Sequence, residues 1–223
     1  MGGLSWEDAE RRALEDYFLG FARRERPRVL FVPTAAAEDA EPTLLILTQL
    51  ADRAEVGYVP FFPWPPENLR ELALDQDVIY VSGGNTANAL AIWRVHGFDA
   101  ILREAWEAGV VLTGWSAGMI CWFEAGVTDS FGPQLDGMRD GLGFLPGSAC
   151  PHYDGEGLRR PVYTRLVAEG FPPGVAADDA VALRYDGTDL AEVVSARPSS
   201  RAYRVTPAAE EPLEPRLLAP AAG

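Results

Sequence analysis

The chain has 223 residues, 48% of them hydrophobic and 23% charged, and carries a net charge of -14. That is enough material for one large domain with a substantial core. The acidity excludes nucleic acid and anionic membrane surfaces as expected partners, because their phosphates would be repelled.

The two cysteines, Cys121 and Cys150, form no CxxC pair and no disulfide framework. No basic segment followed by an apolar run opens the chain, and no stretch approaches the roughly 18 continuous apolar residues of a membrane span. The expected location is therefore cytoplasmic, with no membrane partner.

Ser5 is placed to cap a helix whose apolar positions Trp6, Ala9, Ala13, Tyr17 and Phe21 recur at helical spacing, and Pro27 stops it. The run 28–33 reads as a short buried strand that ends in a loop over 34–41. A helix is predicted over 42–54 and a strand over 56–59, whereas 61–66, made of prolines and aromatics, is a loop. The run 77–81 is the clearest buried strand and leads straight into Ser82-Gly83-Gly84-Asn85-Thr86. Two helices follow, the second ending near Ala108, and the strand 110–113 then runs into Gly114 and Ser116. Strands alternating with helices at this spacing imply an α/β fold with a mostly parallel sheet and helices on both faces.

From Val127 to His152 glycine, proline and aspartate are frequent, which predicts a long, loop-rich excursion. After a helix over 159–169, three β-like segments at 180–184, 191–195 and 202–206 predict a small antiparallel β edge near the C-terminus, with turn signals such as Asp186-Gly187 between them. The expected organisation is one domain over 1–206 and a loosely attached tail, rich in Ala, Pro and Glu, over 207–223.

The step from the strand 110–113 into Gly114-Trp115-Ser116-Ala117-Gly118 has the sequence form of a nucleophile elbow. The turn is tight and the serine must project from a strained backbone, which is why glycines flank it. A helix N-terminus beneath the serine favours negative charge there. Gly83-Gly84 can bring backbone N–H groups close to a developing oxyanion; taken alone, a plain glycine turn into a helix capped by Asn85 or Thr86 is the simpler reading.

A serine needs a base, and the chain has only two histidines. His96 sits near a helix end at an expected surface position; His152, in Cys150-Pro151-His152-Tyr153-Asp154, follows a glycine-rich stretch and is the candidate base. For the carboxylate that orients the imidazole, Asp129 and Asp179 are the best placed, with Asp154 set aside as too close in sequence.

Taken together, Gly83-Gly84-Asn85, Gly114-Trp115-Ser116-Ala117-Gly118 and Pro151-His152-Tyr153, in this order, resemble the serine-peptidase family of aspartyl dipeptidase (peptidase E) and cyanophycinase. The resemblance spans roughly 28–206. It implies a fold like class I glutamine amidotransferases and hydrolysis of small peptides with no metal or organic cofactor. Ser116 would be the nucleophile and His152 the general base and acid, with Asp129, Asp179 or, in a four-residue arrangement, both as its acidic partners. The N–H groups of Gly84 and Ala117 would form the oxyanion hole, and Asn85, Arg159 and Arg160 would contact substrate. The chain departs from the family where Met1-Gly2-Gly3 stands in place of a strand leading into a glycine loop. It departs again at Arg159 and Arg160, which do not align cleanly with the arginine that binds a substrate aspartate, and at Asp179, which is one methylene shorter than the family's glutamate.

Two other classes compete. An α/β-hydrolase esterase also uses Gly-x-Ser-x-Gly, but His152 follows Ser116 too closely to leave room for its intervening strands. A non-catalytic binding protein of the amidotransferase-like fold is the other. A thiol mechanism at Cys121 is set against a buried position inside the helix after Ser116, and one histidine with scattered aspartates has no zinc-ligand spacing. Phe61, Phe62 and Trp64 are expected to line a homodimer contact or the substrate cleft, or to pack under a surface loop.

Overall fold

The computed structural model describes residues 1–4 and 7–219; the cap expected at Ser5 and the apolar position Trp6 lie outside the described residues. The first helix, α1 (Asp8–Leu19), buries Leu14 and Phe18. The described residues group into two compact units, one of Phe18–Gly118 and one of Met1–Tyr17 with the chain from Met119 onward.

The unit Phe18–Gly118 is built on a parallel sheet. Its strands are β1 (Arg28–Val32), β2 (Glu55–Tyr58), β3 (Val78–Val81) and β4 (Val111–Gly114), in the order β2-β1-β3-β4. All four residues of β3 are buried, as a continuous β-branched and aromatic run in a parallel sheet demands. Helices α2 (Ala40–Leu50), α3 (Leu69–Leu74), α4 (Thr86–Val95) and α5 (Phe98–Glu107) make the crossovers, and α6 (Ala117–Ile120) follows β4. Asp39 caps α2 by accepting the Glu41 N–H at 3.1 Å. Among the side chains fully buried here are Phe31, Tyr80, Trp93 and Phe98.

The other unit holds a six-stranded sheet in the order β12-β11-β8-β7-β5-β6. Its parallel centre is β5 (Phe123–Thr128), β7 (Leu145–Cys150) and β8 (Gly174–Ala177); β6 (Asp136–Met138), β11 (Ala202–Val205) and β12 (Glu210–Leu213) pair antiparallel at the edges. Between β7 and β8 runs α7 (Arg159–Ala168). A second sheet joins β9 (Val181–Asp186), β10 (Asp189–Ser195) and β13 (Arg216–Leu217), with Gly187 at φ 59° in the β9–β10 turn. A core of Val127, Tyr153, Tyr163, Val167, Phe171 and Val205 packs in this unit. No helix of the described residues is long and apolar enough to cross a membrane.

The α/β class with antiparallel edges is as expected, and two local expectations are corrected. The stretch from Val127 to His152 is loop-rich as expected, but the end of β5, β6 and β7 run through it, and glycines in these strands mark close backbone approach. A Cβ on Gly126 would lie 2.5 Å from Ile120 Cγ2 and 2.9 Å from the Ala149 carbonyl oxygen. The segment 202–206 does not join the 180–195 hairpin but pairs with β8 in the other sheet. Residues after 207, expected as a loose tail, pair as β12 on β11 and β13 on β10 through Leu217.

Candidate active site

Ser116 stands at φ 55°, a left-handed conformation that costs a non-glycine residue roughly 1–3 kcal/mol. Its surroundings impose that turn. A Cβ on Gly118 would meet the Val81 carbonyl oxygen at 2.4 Å, and one on Gly114 would meet the same oxygen at 2.6 Å. Both glycines of the motif are thus required by the close packing of the end of β3 against the turn. Trp115 anchors it from below, stacked on Phe31 at 6.0 Å with an 8° interplanar angle and edge-on to Tyr80 at 5.1 Å. The helix that follows, α6, is one turn only, so Cys121 lies just past its end rather than inside it.

The Gly83-Gly84-Asn85 loop adjoins Ser116. A Cβ on Gly83 would sit 3.3 Å from Ser116 Cβ and 2.7 Å from Trp115 Nε1. Gly84, at φ 126°, has no room for a side chain either, since its Cβ would fall 2.1 Å from the Ala35 carbonyl oxygen. That oxygen accepts the Asn85 N–H at 2.8 Å, and Ala37 and Glu38 in the same segment hold φ of 56° and 57°. Asn85 Oδ1 accepts the Asn88 N–H at 2.9 Å, so Asn85 is the cap of α4. Ala117 is buried directly after the serine.

In the other unit, His152 leaves the end of β7 at φ 53°, and its Nδ1 lies 2.7 Å from Asp179 Oδ1. The two side chains are 20% and 29% exposed. Facing a carboxylate, Nδ1 is the donor, which leaves Nε2 as the nitrogen able to take a proton. Asp179 is itself held: its N–H donates to Asp154 Oδ1 at 2.9 Å, and the next residue, Ala180, sits at φ 63°. The structure therefore brings Asp179, not Asp129, to His152. Asp129 is exposed beyond β5, where its carbonyl accepts the Gly132 N–H. His96 is exposed at the C-terminal end of α4, beside Phe61.

Of the five non-glycine residues with positive φ among the described residues, three are Ser116, His152 and Ala180, and the other two border the Gly84 loop. Strain gathered at these segments points to function.

Several neighbours of this pair carry no signal in the sequence. Asp178 is buried, accepts the Arg201 N–H at 2.7 Å, and has its carboxyl pushed up to about 6 by burial, with the Asp154 and Asp179 charges adding to the shift. Glu210, from the expected tail, pairs with Arg160 and accepts the Tyr153 O–H at 2.5 Å. Burial and this carboxylate raise the Tyr153 phenol. Nothing local in the sequence marks Glu210; only the pairing of β12 brings it there.

Arg160 also lies over the rings of Tyr153 and Tyr203, 5.4 and 5.0 Å from their centroids. Arg159 is 3% exposed, with its guanidinium bonded to Glu156 and to the Val127 carbonyl oxygen. Both arginines are thus engaged within the unit. Cys121 and Cys150 are buried and free; burial raises the Cys121 thiol well above its ordinary value and pushes Cys150 up to about 12, the opposite of a thiol nucleophile. Phe61 is buried, whereas Phe62 and Trp64 are exposed.

The sequence model described as Peptidase family S51 matches residues 1–193. The chain belongs to this family. It is accordingly a serine-type peptidase of the peptidase E and cyanophycinase kind. The protein named "Uncharacterized peptidase YgaJ" of Bacillus subtilis (strain 168) is 45% identical over 213 residues, covering 94% of this chain and 91% of that one. "Peptidase E" of Shewanella denitrificans (strain OS217) is 28% identical over 173 residues, 72% of each chain. Among solved structures, a peptidase from an acI-B1 Actinobacterium superposes with a TM-score of 0.65 at 20% identity, covering 96% of this chain and 92% of that one, which shows a shared fold. This S51 chain carries its serine motif, its glycine loop and its histidine segment on the element ends described above.

Proposed function

We propose that this S51 peptidase is a dipeptidase that cuts short peptides after their first residue through an acyl-enzyme on Ser116. The observation that carries the reading is the 2.7 Å contact between His152 Nδ1 and Asp179 Oδ1, an imidazole fixed in the tautomer that general-base chemistry needs. Ser116 Oγ adds to the carbonyl carbon as its proton passes to His152 Nε2. The N–H groups of Gly84 and Ala117 receive the oxyanion. The C–N bond then breaks as Nε2 returns the proton to the leaving amine, and water, deprotonated by the same nitrogen, releases the acyl group. Asp179 stabilises the imidazolium throughout.

The engaged state of Arg159 and Arg160 argues against a strong preference for an acidic first residue. Glu210 already supplies the carboxylate that Arg160 would otherwise take from a substrate.

A panel of dipeptides and aminoacyl p-nitroanilides, Asp-linked ones included, tests the reading with wild type and Ser116→Ala. Cleavage that disappears in the variant supports it. Activity that survives Ser116→Ala, or a folded wild type that cleaves only longer peptides, removes it.

A further inference from the structure

We infer that Gly3 is a positioning residue for the His152–Asp179 pair; this rests on the reading of that pair as the proton-handling unit. The backbone at Gly2 and Gly3 lies along the segment that carries the aspartate. Gly2 N–H donates to the Val181 carbonyl at 3.0 Å, the Gly3 carbonyl accepts the Ala180 N–H at 3.2 Å, and Gly3 is bridged to Asp179 itself. These bonds fix residue 3 against the carboxylate.

The absence of a side chain at residue 3 then decides where that carboxylate can be. A Cβ on Gly3 would fall 1.8 Å from Asp179 Oδ1, 2.7 Å from its Cγ and 2.7 Å from His152 Nδ1. All three atoms belong to the hydrogen bond or adjoin it. On the far side, a Cβ on Gly155 would meet Asp179 Oδ2 at 2.7 Å. The carboxylate therefore lies in a slot between two residues without side chains, with Gly3 closing the face that carries the bonded oxygen. Cβ atoms essentially never approach within 3.0 Å of a heavy atom, so a methyl group at residue 3 must drive Oδ1 from 1.8 Å to beyond 3.0 Å, and with it the contact to His152. A misplacement of about 1 Å in a catalytic arrangement costs on the order of 100-fold in rate.

Gly3 acts through Asp179 and does not itself take part in the chemistry. Gly3→Ala, Asp179→Ala and the double variant test it, with kcat/KM on a dipeptide the wild type cleaves and the ring ¹⁵N and Nδ1-proton resonances of histidine as readouts. Only His96 and His152 contribute those resonances. Gly3→Ala is expected to lower kcat/KM about 100-fold and to move the His152 ring signals to those of Asp179→Ala, with His96 unchanged. In the Asp179→Ala background the same substitution is expected to cost far less, because only the 2.7 Å approach to His152 Nδ1 is left. Unchanged His152 signals in Gly3→Ala overturn the inference, as does a loss that persists in full without the carboxylate, since that marks a merely structural glycine. Should Gly3→Ala fail to fold, removing the carboxylate in the double variant must restore folding; if it does not, the inference is wrong. Full activity in Asp179→Ala would instead refute the underlying reading, while the ring signals would still decide the role of Gly3.

Discussion

Replacing Asp179 by asparagine keeps the size of the side chain and removes its charge. The carboxylate oxygen is 2.7 Å from Nδ1, and both groups are mostly shielded from solvent. Their charge centres lie somewhat farther apart than the bonded atoms. Taking about 4 Å and an effective dielectric constant of about 20, the imidazolium formed as Ser116 attacks is stabilised by roughly 4 kcal/mol. That corresponds to about three powers of ten in rate. An asparagine can also present its NH₂ to Nδ1, which favours the tautomer with the proton on Nε2 and disables the base. Asp179→Asn should therefore lower kcat about 1000-fold with KM and the thermal midpoint little changed, whereas Asp129→Asn should leave kcat unaltered. Initial rates on a cleavable dipeptide, alongside a thermal melt of each variant, measure this. An Asp179→Asn enzyme within tenfold of wild type, or an Asp129→Asn enzyme as damaged, refutes the assignment.

Three further outcomes are expected. Asp178 has a folded-state value of about 6 against 3.8, so the native state binds its proton more tightly than the unfolded chain; its contribution is neutral below the lower value, grows destabilising as the pH rises from 3.8 to about 6, and is constant above. Urea unfolding should show Asp178→Asn gaining on wild type by up to about 3 kcal/mol between pH 4 and pH 8, and a constant difference would contradict this. Ser148→Ala should cost more than Tyr163→Phe, about 2 against about 1 kcal/mol, because Ser148 Oγ bonds both the buried Tyr163 hydroxyl at 2.7 Å and the Pro172 carbonyl at 2.6 Å; the reverse order in denaturant melts would refute that network. Glu210→Gln should release Arg160 and raise kcat/KM for Asp-first dipeptides about tenfold relative to neutral ones, and an unchanged ratio would show that Arg160 does not reach the substrate.

The serine and glycine loops were legible because β3 and β4 are apolar runs that stop at glycine, a local signal. Strands β5, β7 and β8 were hidden for the opposite reason. Gly126, Gly147 and Gly174 look like loop residues in sequence, yet they are there because neighbouring backbone comes too close for a Cβ; at Gly174 the Ser148 carbonyl oxygen would be 1.9 Å away. The choice between Asp129 and Asp179 could not be made from spacing. It depends on the Pro151–His152 turn and the bend at Ala180 meeting in space, which only tertiary structure fixes. The same holds for Glu210, whose strand is short, polar and proline-containing and pairs because β11 offers an edge.

Labelling of the intact protein with a fluorophosphonate, followed by mass spectrometry of the modified peptide, in wild type and in His152→Ala, tests the nucleophile without any assumption about substrate. One adduct per chain is expected on Ser116, formed far more slowly without His152. A folded wild type that takes no label, or that takes it on another residue, would contradict a nucleophilic Ser116 activated by His152.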